Sequence, residues 1–195
     1  MARFIARAAL AVACVSPTGG LPAQEARSEA PSSCSVAFDS NTLNAQTNSA
    51  FFRAIRVRCE DVTIIADEAT ASEPVPDRGE WRMRGHVRIE IESAVISADT
   101  ASLGFSNNRL VFGELAGNPV TLEDYLDKEQ KSVRATAGRI HYDNEARVAR
   151  MGEGASLVLG TSEMRGCGDI LYDLDNGVVD SVSNCNEPFT ITGRK

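Results

Sequence analysis

The chain has 195 residues, of which 43% are hydrophobic and 24% charged, and its formal charge is −7 at pH 7. That length suffices for one domain with its own core, and an acidic balance without a basic stripe excludes nucleic acid as a partner. Two histidines without a carboxylate or cysteine at ligand spacing, no nucleophile elbow and no phosphate-cradling glycine loop leave no signature of an enzyme, a metal or a cofactor.

Residues 1–23 read as a signal peptide. Arg3 and Arg7 flank Phe4 and Ile5, a short apolar run follows from Ala8 to Val15, and Leu21-Pro22-Ala23 offers small residues for cleavage before Gln24. The apolar run is too short to span a bilayer. Cys14 suggests a lipoprotein as the alternative, but Ala11 stands three residues before it where a large aliphatic is expected. Losing Arg3 and Arg7 moves the formal charge from −7 to −9. Residues 24–35, polar and poor in apolar side chains, read as a flexible tether, and residues 36–192 as the folded domain.

From Val36 the chain alternates: Val36 and Phe38, Ile55 and Val57, Val62 and Ile64, and so on to Ile170 and Tyr172. The longest run is Trp81 to Glu92, with Trp81, Met83, Val87, Ile89 and Ile91 on one parity and Arg82, Arg84, His86, Arg88, Glu90 and Glu92 on the other. Period 2 over that length predicts a strand with one apolar face. Turn signals punctuate the runs at EPVPDRG, SNN, GNP, DNE and DNG. Thr121 to Gln130 reads as a strand end followed by a charged loop, with the helical spacing of Leu122, Tyr125, Leu126 and Glu129 as the alternative. The fold class is therefore all-β and antiparallel, built from repeated hairpins.

The repeat has a measurable period. Ile55 to Asp67, Val87 to Asp99 and Ala155 to Cys167 each span 12 residues, and the starts are separated by 32 and 68 residues, the second being about two periods. Asp67 and Asp99 read as turn chemistry at strand ends. Arginines recur at Arg53, Arg56, Arg58, Arg82, Arg84, Arg88, Arg147 and Arg150, as a solvated sheet face or as contacts to lipid phosphates. Parity turns Val36, Phe38, Ile89, Leu122, Ile140, Tyr142 and Leu157 inward. An interior of Val, Ile, Leu and Ala with few aromatics suits a dry core or a trough for hydrocarbon equally.

Without Cys14, four cysteines remain, and in an exported chain they suggest two disulfides with three possible pairings. Cys167 and Cys185 are equidistant from Asn176 in Asp175-Asn176-Gly177, so a three-residue hairpin loop sets them opposite each other. Cys34 with Cys59 follows by elimination.

Four segments in order, GHVRIEIESAVISADTASL (Gly85 to Leu103), LAGNPVTLE (Leu115 to Glu123), ATAGRIHYD (Ala135 to Asp143) and GEGASLVLGTSEMRG (Gly152 to Gly166), resemble the LptA/OstA-like periplasmic lipopolysaccharide transport family. The resemblance runs from about Val36 to Val182. It implies a twisted, partly open β-jellyroll in the periplasm that carries lipid A acyl chains in its apolar interior, with the seven inward residues above as the lipid contacts. It also implies a bridge between an inner-membrane exporter and an outer-membrane assembly complex, through jellyroll-to-jellyroll contacts and a head-to-tail homo-oligomer. The strand near Val36 to Phe38 and the segment Pro188 to Thr192 are the candidate docking edges. An LptC-like component of the same pathway and a closed, disulfide-stabilised β-sandwich structural or adhesion module without ligand are the alternatives.

Overall fold

A computed structural model describes residues 34–126, 131–160, 162–186 and 190–191. The expected signal peptide and most of the expected tether lie outside the described residues, as do Pro188, Phe189 and Thr192 of the expected C-terminal docking segment. Among the described residues, twelve strands form a single antiparallel sheet. They are β1 (Cys34–Ala37), β2 (Ser40–Asn44), β3 (Ser49–Cys59), β4 (Val62–Ala71), β5 (Arg78–Ile91), β6 (Ala94–Ser106), β7 (Arg109–Leu126), β8 (Lys131–Asp143), β9 (Val148–Leu159), β10 (Ser162–Asp173), β11 (Val178–Ser183) and β12 (Thr190–Ile191). From β3 to β11 every strand pairs with its neighbours in the chain.

From β4 to β10 each pair of neighbouring strands breaks register near the middle. The breaks fall between Ile65 and Glu68, Arg84 and Val87, Ser97 and Thr100, Ala116 and Val120, Thr136 and Arg139, and Met164 and Cys167. A bulge bends its strand and sharpens the twist, and here the breaks line up across the sheet into one fold line. Gly85 (φ +72°) and His86 (φ +46°) show the local cause: both are left-handed, and a Cβ on Gly85 would run into the Asp67 carboxylate. The sheet doubles over along this line into a twisted, partly open β-jellyroll with an inner and an outer face. β1 and β2 flank β3 on either side of the line, and β11 and β12 flank β10 in the same way.

The fold line corrects three expectations. GNP is not a turn but a bulge inside β7, with a cis Asn118–Pro119 peptide. Asp67 and Asp99 are not at strand ends but at the fold line, where Asp67 Oδ2 lies 2.7 Å from His86 Nδ1 and Asp99 Oδ2 accepts the Asn118 N–H at 3.1 Å. Cys167 is not the counterpart of those aspartates. It pairs directly with Ala155, as Ala66 pairs with Ile55 and Ala98 with Val87, because an extra residue beside left-handed Gly166 (φ +59°) shifts the register by one. The missing copy of the repeat starts at Val120, which pairs with Ala137 across the longer 121–136 hairpin. Thr121 to Leu126 is strand, and residues 127–130 lie outside the described residues.

Both expected disulfides are present, Cys34–Cys59 and Cys167–Cys185. The first joins directly paired residues of β1 and β3. The second arises by a longer route than expected: Asp173 pairs with Val178 around a four-residue turn, and a bulge between Leu171 and Tyr172 restores the register that sets Cys167 against Cys185. Closing loops of this length is worth about 3 kcal/mol each in chain-entropy models.

Candidate functional site

The inner faces of the doubled sheet enclose one apolar cluster that runs from Ala50 on β3 to Leu174 after β10. Of the seven residues expected to face inward, Ile89, Leu122, Ile140, Tyr142 and Leu157 sit in this cluster with no exposed surface. Val36 packs against it from the edge. Phe38 departs from the expectation: it lies in the break between β1 and β2, is 41% exposed, and sets its ring 5.2 Å from Phe52. The alternation of β1 does not carry past its last residue, Ala37.

The two ends of the interior differ. At the N-terminal end, Phe52 stacks on Trp81 at 5.4 Å and Trp81 meets Phe105 edge-on at 5.9 Å, so rings of β3, β5 and β6 fill the space. At the C-terminal end, Leu159, Ser162 and Met164 of one layer and Val178, Val179 and Val182 of the other line an open recess of about 490 Å³, together with Cys185. Val178 and Val182 are 44% and 38% exposed there. Sequence reasoning missed this mouth because Val178 and Val179 are adjacent and so break the alternation.

Opposite the fold line, the hairpin turns of the two layers meet along a seam. No strand pairing crosses it among the described residues; side chains do. Arg109 Nη2 lies 3.1 Å from Glu60 Oε2. Arg147, in the β8–β9 turn, reaches Asp61 at 3.2 Å, Glu92 at 3.0 Å and Asp175 at 3.0 Å, and donates to the Tyr142 hydroxyl at 3.2 Å. Burial pushes the Tyr142 phenol up to about 12, with Arg147 pulling the other way. Deeper in, Asp124 is 1% exposed and accepts hydrogen bonds from Ser93 and Tyr172, each at 2.7 Å, tying β7 to β10. The sequence carried a signal for Asp124, a carboxylate on the same inward parity as Leu122, that alternation alone does not interpret.

The recurrent arginines are not of one kind: Arg53, Arg56 and Arg58 are exposed on β3, with Arg53 over the Phe51 ring at 5.8 Å. Arg82, Arg84, Arg88 and Arg150 pair on the outer face with Glu80, Glu68, Glu90 and Asp169, where an ion pair contributes little. Arg147 is not on that face: its side chain is 14% exposed, inside the seam. His86 and His141 each bond a carboxylate, Asp67 and Glu114, at 2.7 and 2.6 Å. Among the described residues no cluster of three His, Cys, Asp or Glu side chains is placed to hold a metal ion, and no helix is long and apolar enough to cross a membrane.

The family model described as LptA/(LptD N-terminal domain) LPS transport protein matches residues 36–178. Among solved structures, the chain is similar to LptH, the LptA-homologous periplasmic component of the conserved lipopolysaccharide transport device from Pseudomonas aeruginosa. The two share 15% identity over 83% of this chain and 89% of that one, with a TM-score of 0.48. No curated protein sequence matches.

Proposed function

Because the chain belongs to the LptA/(LptD N-terminal domain) family of LPS transport proteins, we propose that it binds lipopolysaccharide in the periplasm and moves it without chemical change. The acyl chains lie between the layers and enter at the C-terminal mouth. The observation that carries this reading is the mouth itself, where an otherwise enclosed apolar cluster opens into an apolar recess of about 490 Å³. Ile89, Leu122, Ile140, Tyr142 and Leu157 contact acyl chains once the layers part, with Val36 and Phe38 at the far edge. Ten methylenes taken from water there would be worth about 8 kcal/mol. Parting is feasible because side-chain contacts, rather than strand pairing, close the seam. The chain bridges inner- and outer-membrane components through its sheet edges: exposed β2 at one end and β11 and β12 at the other.

Photo-crosslinkers at Val182, Leu122 and Tyr142 are expected to capture added lipopolysaccharide, and those at the outward Arg88 and Glu90 are not. Equal capture at all five positions would sink the reading. The complete burial of Ile89, Leu122, Ile140, Tyr142 and Leu157 favours a second reading, a closed structural module without ligand. Native mass spectrometry separates the two, since only a carrier retains an acylated glycolipid. For the bridge, Thr190→Pro is expected to weaken pull-down of a partner jellyroll while leaving lipid capture intact; unchanged pull-down would remove the C-terminal edge as a docking surface.

A further inference from the structure

We propose that Arg147 is the latch of the seam, the residue that decides how far along the interior an acyl chain can travel from the mouth; this rests on the lipid-carrying reading above. The guanidinium has five N–H donors in a planar fork, and here its three nitrogens reach four acceptors. Nη1 reaches Asp61 and the Tyr142 hydroxyl, Nη2 reaches Glu92, and Nε reaches Asp175. Those acceptors come from different parts of the fold. Asp61 and Glu92 belong to the β3–β4 and β5–β6 turns of one layer, whereas Tyr142, Arg147 and Asp175 belong to the end of β8 and to the β8–β9 and β10–β11 turns of the other. One side chain thus gathers four hairpin turns across the open side of the jellyroll.

The charge balance makes the closure conditional. One cation faces three carboxylates, so with Arg147 in place the turns are drawn together, and without it three like charges face each other and push the layers apart. At 14% exposure the side chain is shielded from much of the solvent screening that weakens surface pairs. Its backbone sits in the left-handed region (φ +56°), and its carbonyl accepts the Leu174 N–H at 2.9 Å, which fixes the turn that aims it.

The latch also touches the interior. Tyr142 has its ring in the apolar cluster and its hydroxyl under Arg147, donating to Asn144 Oδ1 at 2.7 Å, while Asn144 donates to the Leu110 carbonyl at 2.9 Å. A chain advancing from the mouth meets the Tyr142 ring, and displacing that ring pulls one partner off Arg147. Lipid beyond that point and an intact latch exclude each other.

The experiment places a benzophenone crosslinker at Val182, in the mouth, or at Phe105, an interior ring on the far side of the latch, and adds purified lipopolysaccharide. With Arg147 native, capture is expected at Val182 and little at Phe105. Arg147→Met is expected to raise capture at Phe105 severalfold and leave Val182 unchanged. Capture at Val182 with no rise at Phe105 would overturn the latch and keep the carrier, whereas no capture at either site in any variant would overturn the carrier reading itself. If Arg147→Met does not fold, Glu92→Gln and Asp61→Asn, which each remove one contact to the opposite layer, decide. Each tests one arm only; the double variant should raise Phe105 capture more than either single one, and unchanged capture in it would overturn the latch.

Discussion

The N- and C-terminal ends of this jellyroll are built on the same plan, two edge strands on either side of the fold line and a disulfide beside them, yet one is filled and the other is open. At the first, Phe52, Trp81 and Phe105 pack ring on ring. At the second, aliphatic side chains of β9, β10 and β11 line a recess and leave Val178 and Val182 in part to solvent. Backbone pairing and cross-linking therefore do not decide whether such an interior is open. Side-chain volume does: rigid rings fill a doubled sheet where valines leave room.

Truncation at the two ends tests that contrast most severely. Trp81→Ala is expected to cost about 3–5 kcal/mol in chemical denaturation, as large core aromatics do, and Val182→Ala less than about 1 kcal/mol because its side chain already meets water. Similar losses at both positions would mean that the recess is packed as tightly as the core. Next in size are the disulfides. Cys34→Ala with Cys59→Ala, and separately Cys167→Ala with Cys185→Ala, should each cost about 3 kcal/mol. Amide exchange should quicken in β1 and β2 for the first pair and in β11 and β12 for the second; faster exchange through the whole sheet in either case would show that the ends are not independent.

A smaller effect belongs to the buried link between the layers. Tyr172→Phe removes a hydrogen bond to the Asp124 carboxylate and is expected to cost about 1.5–3 kcal/mol in equilibrium unfolding; a neutral result would mean that Asp124 finds another donor. The smallest effect is at the fold line. The Asp67 carboxylate raises the His86 pKa above its ordinary value of 6.5. A raised folded pKa stabilises below the unfolded value, and that contribution is lost as pH rises through the folded value. NMR titration should place His86 above 6.5 and return it there in Asp67→Asn; no difference between the two proteins would mean that the contact does not form in solution.

Alternation disclosed most of the strands and the inward residues other than Phe38, and cysteine spacing with elimination disclosed both bridges. The fold line was far less legible. Its irregular residues resemble a turn, as in the bulge at Gly117-Asn118-Pro119, or resemble nothing, as at Ala54, which takes φ +49° without a glycine to announce it. A bend of this kind is set by pairing with neighbouring strands, information that a local window does not hold. Arg147 was grouped with the outward arginines for the same reason. Its role depends on turns at residues 61, 92 and 175, far away in sequence and brought to it only by the doubling of the sheet. The mouth was hidden by the bulge between Leu171 and Tyr172, which spoils the alternation of β11.

Ile55, Val87, Val120 and Ala155 begin successive units 32, 33 and 35 residues apart, and each unit lies beside the one before it. Chain length is therefore a ruler for the protein. Every duplication of a unit adds two strands, about 10 Å of sheet at ordinary strand spacing, and pairs its strands only with those of its immediate neighbours. A longer relative needs no new topology, only another unit of the same kind, and the distance such a molecule spans is encoded in how many times its hairpin was copied.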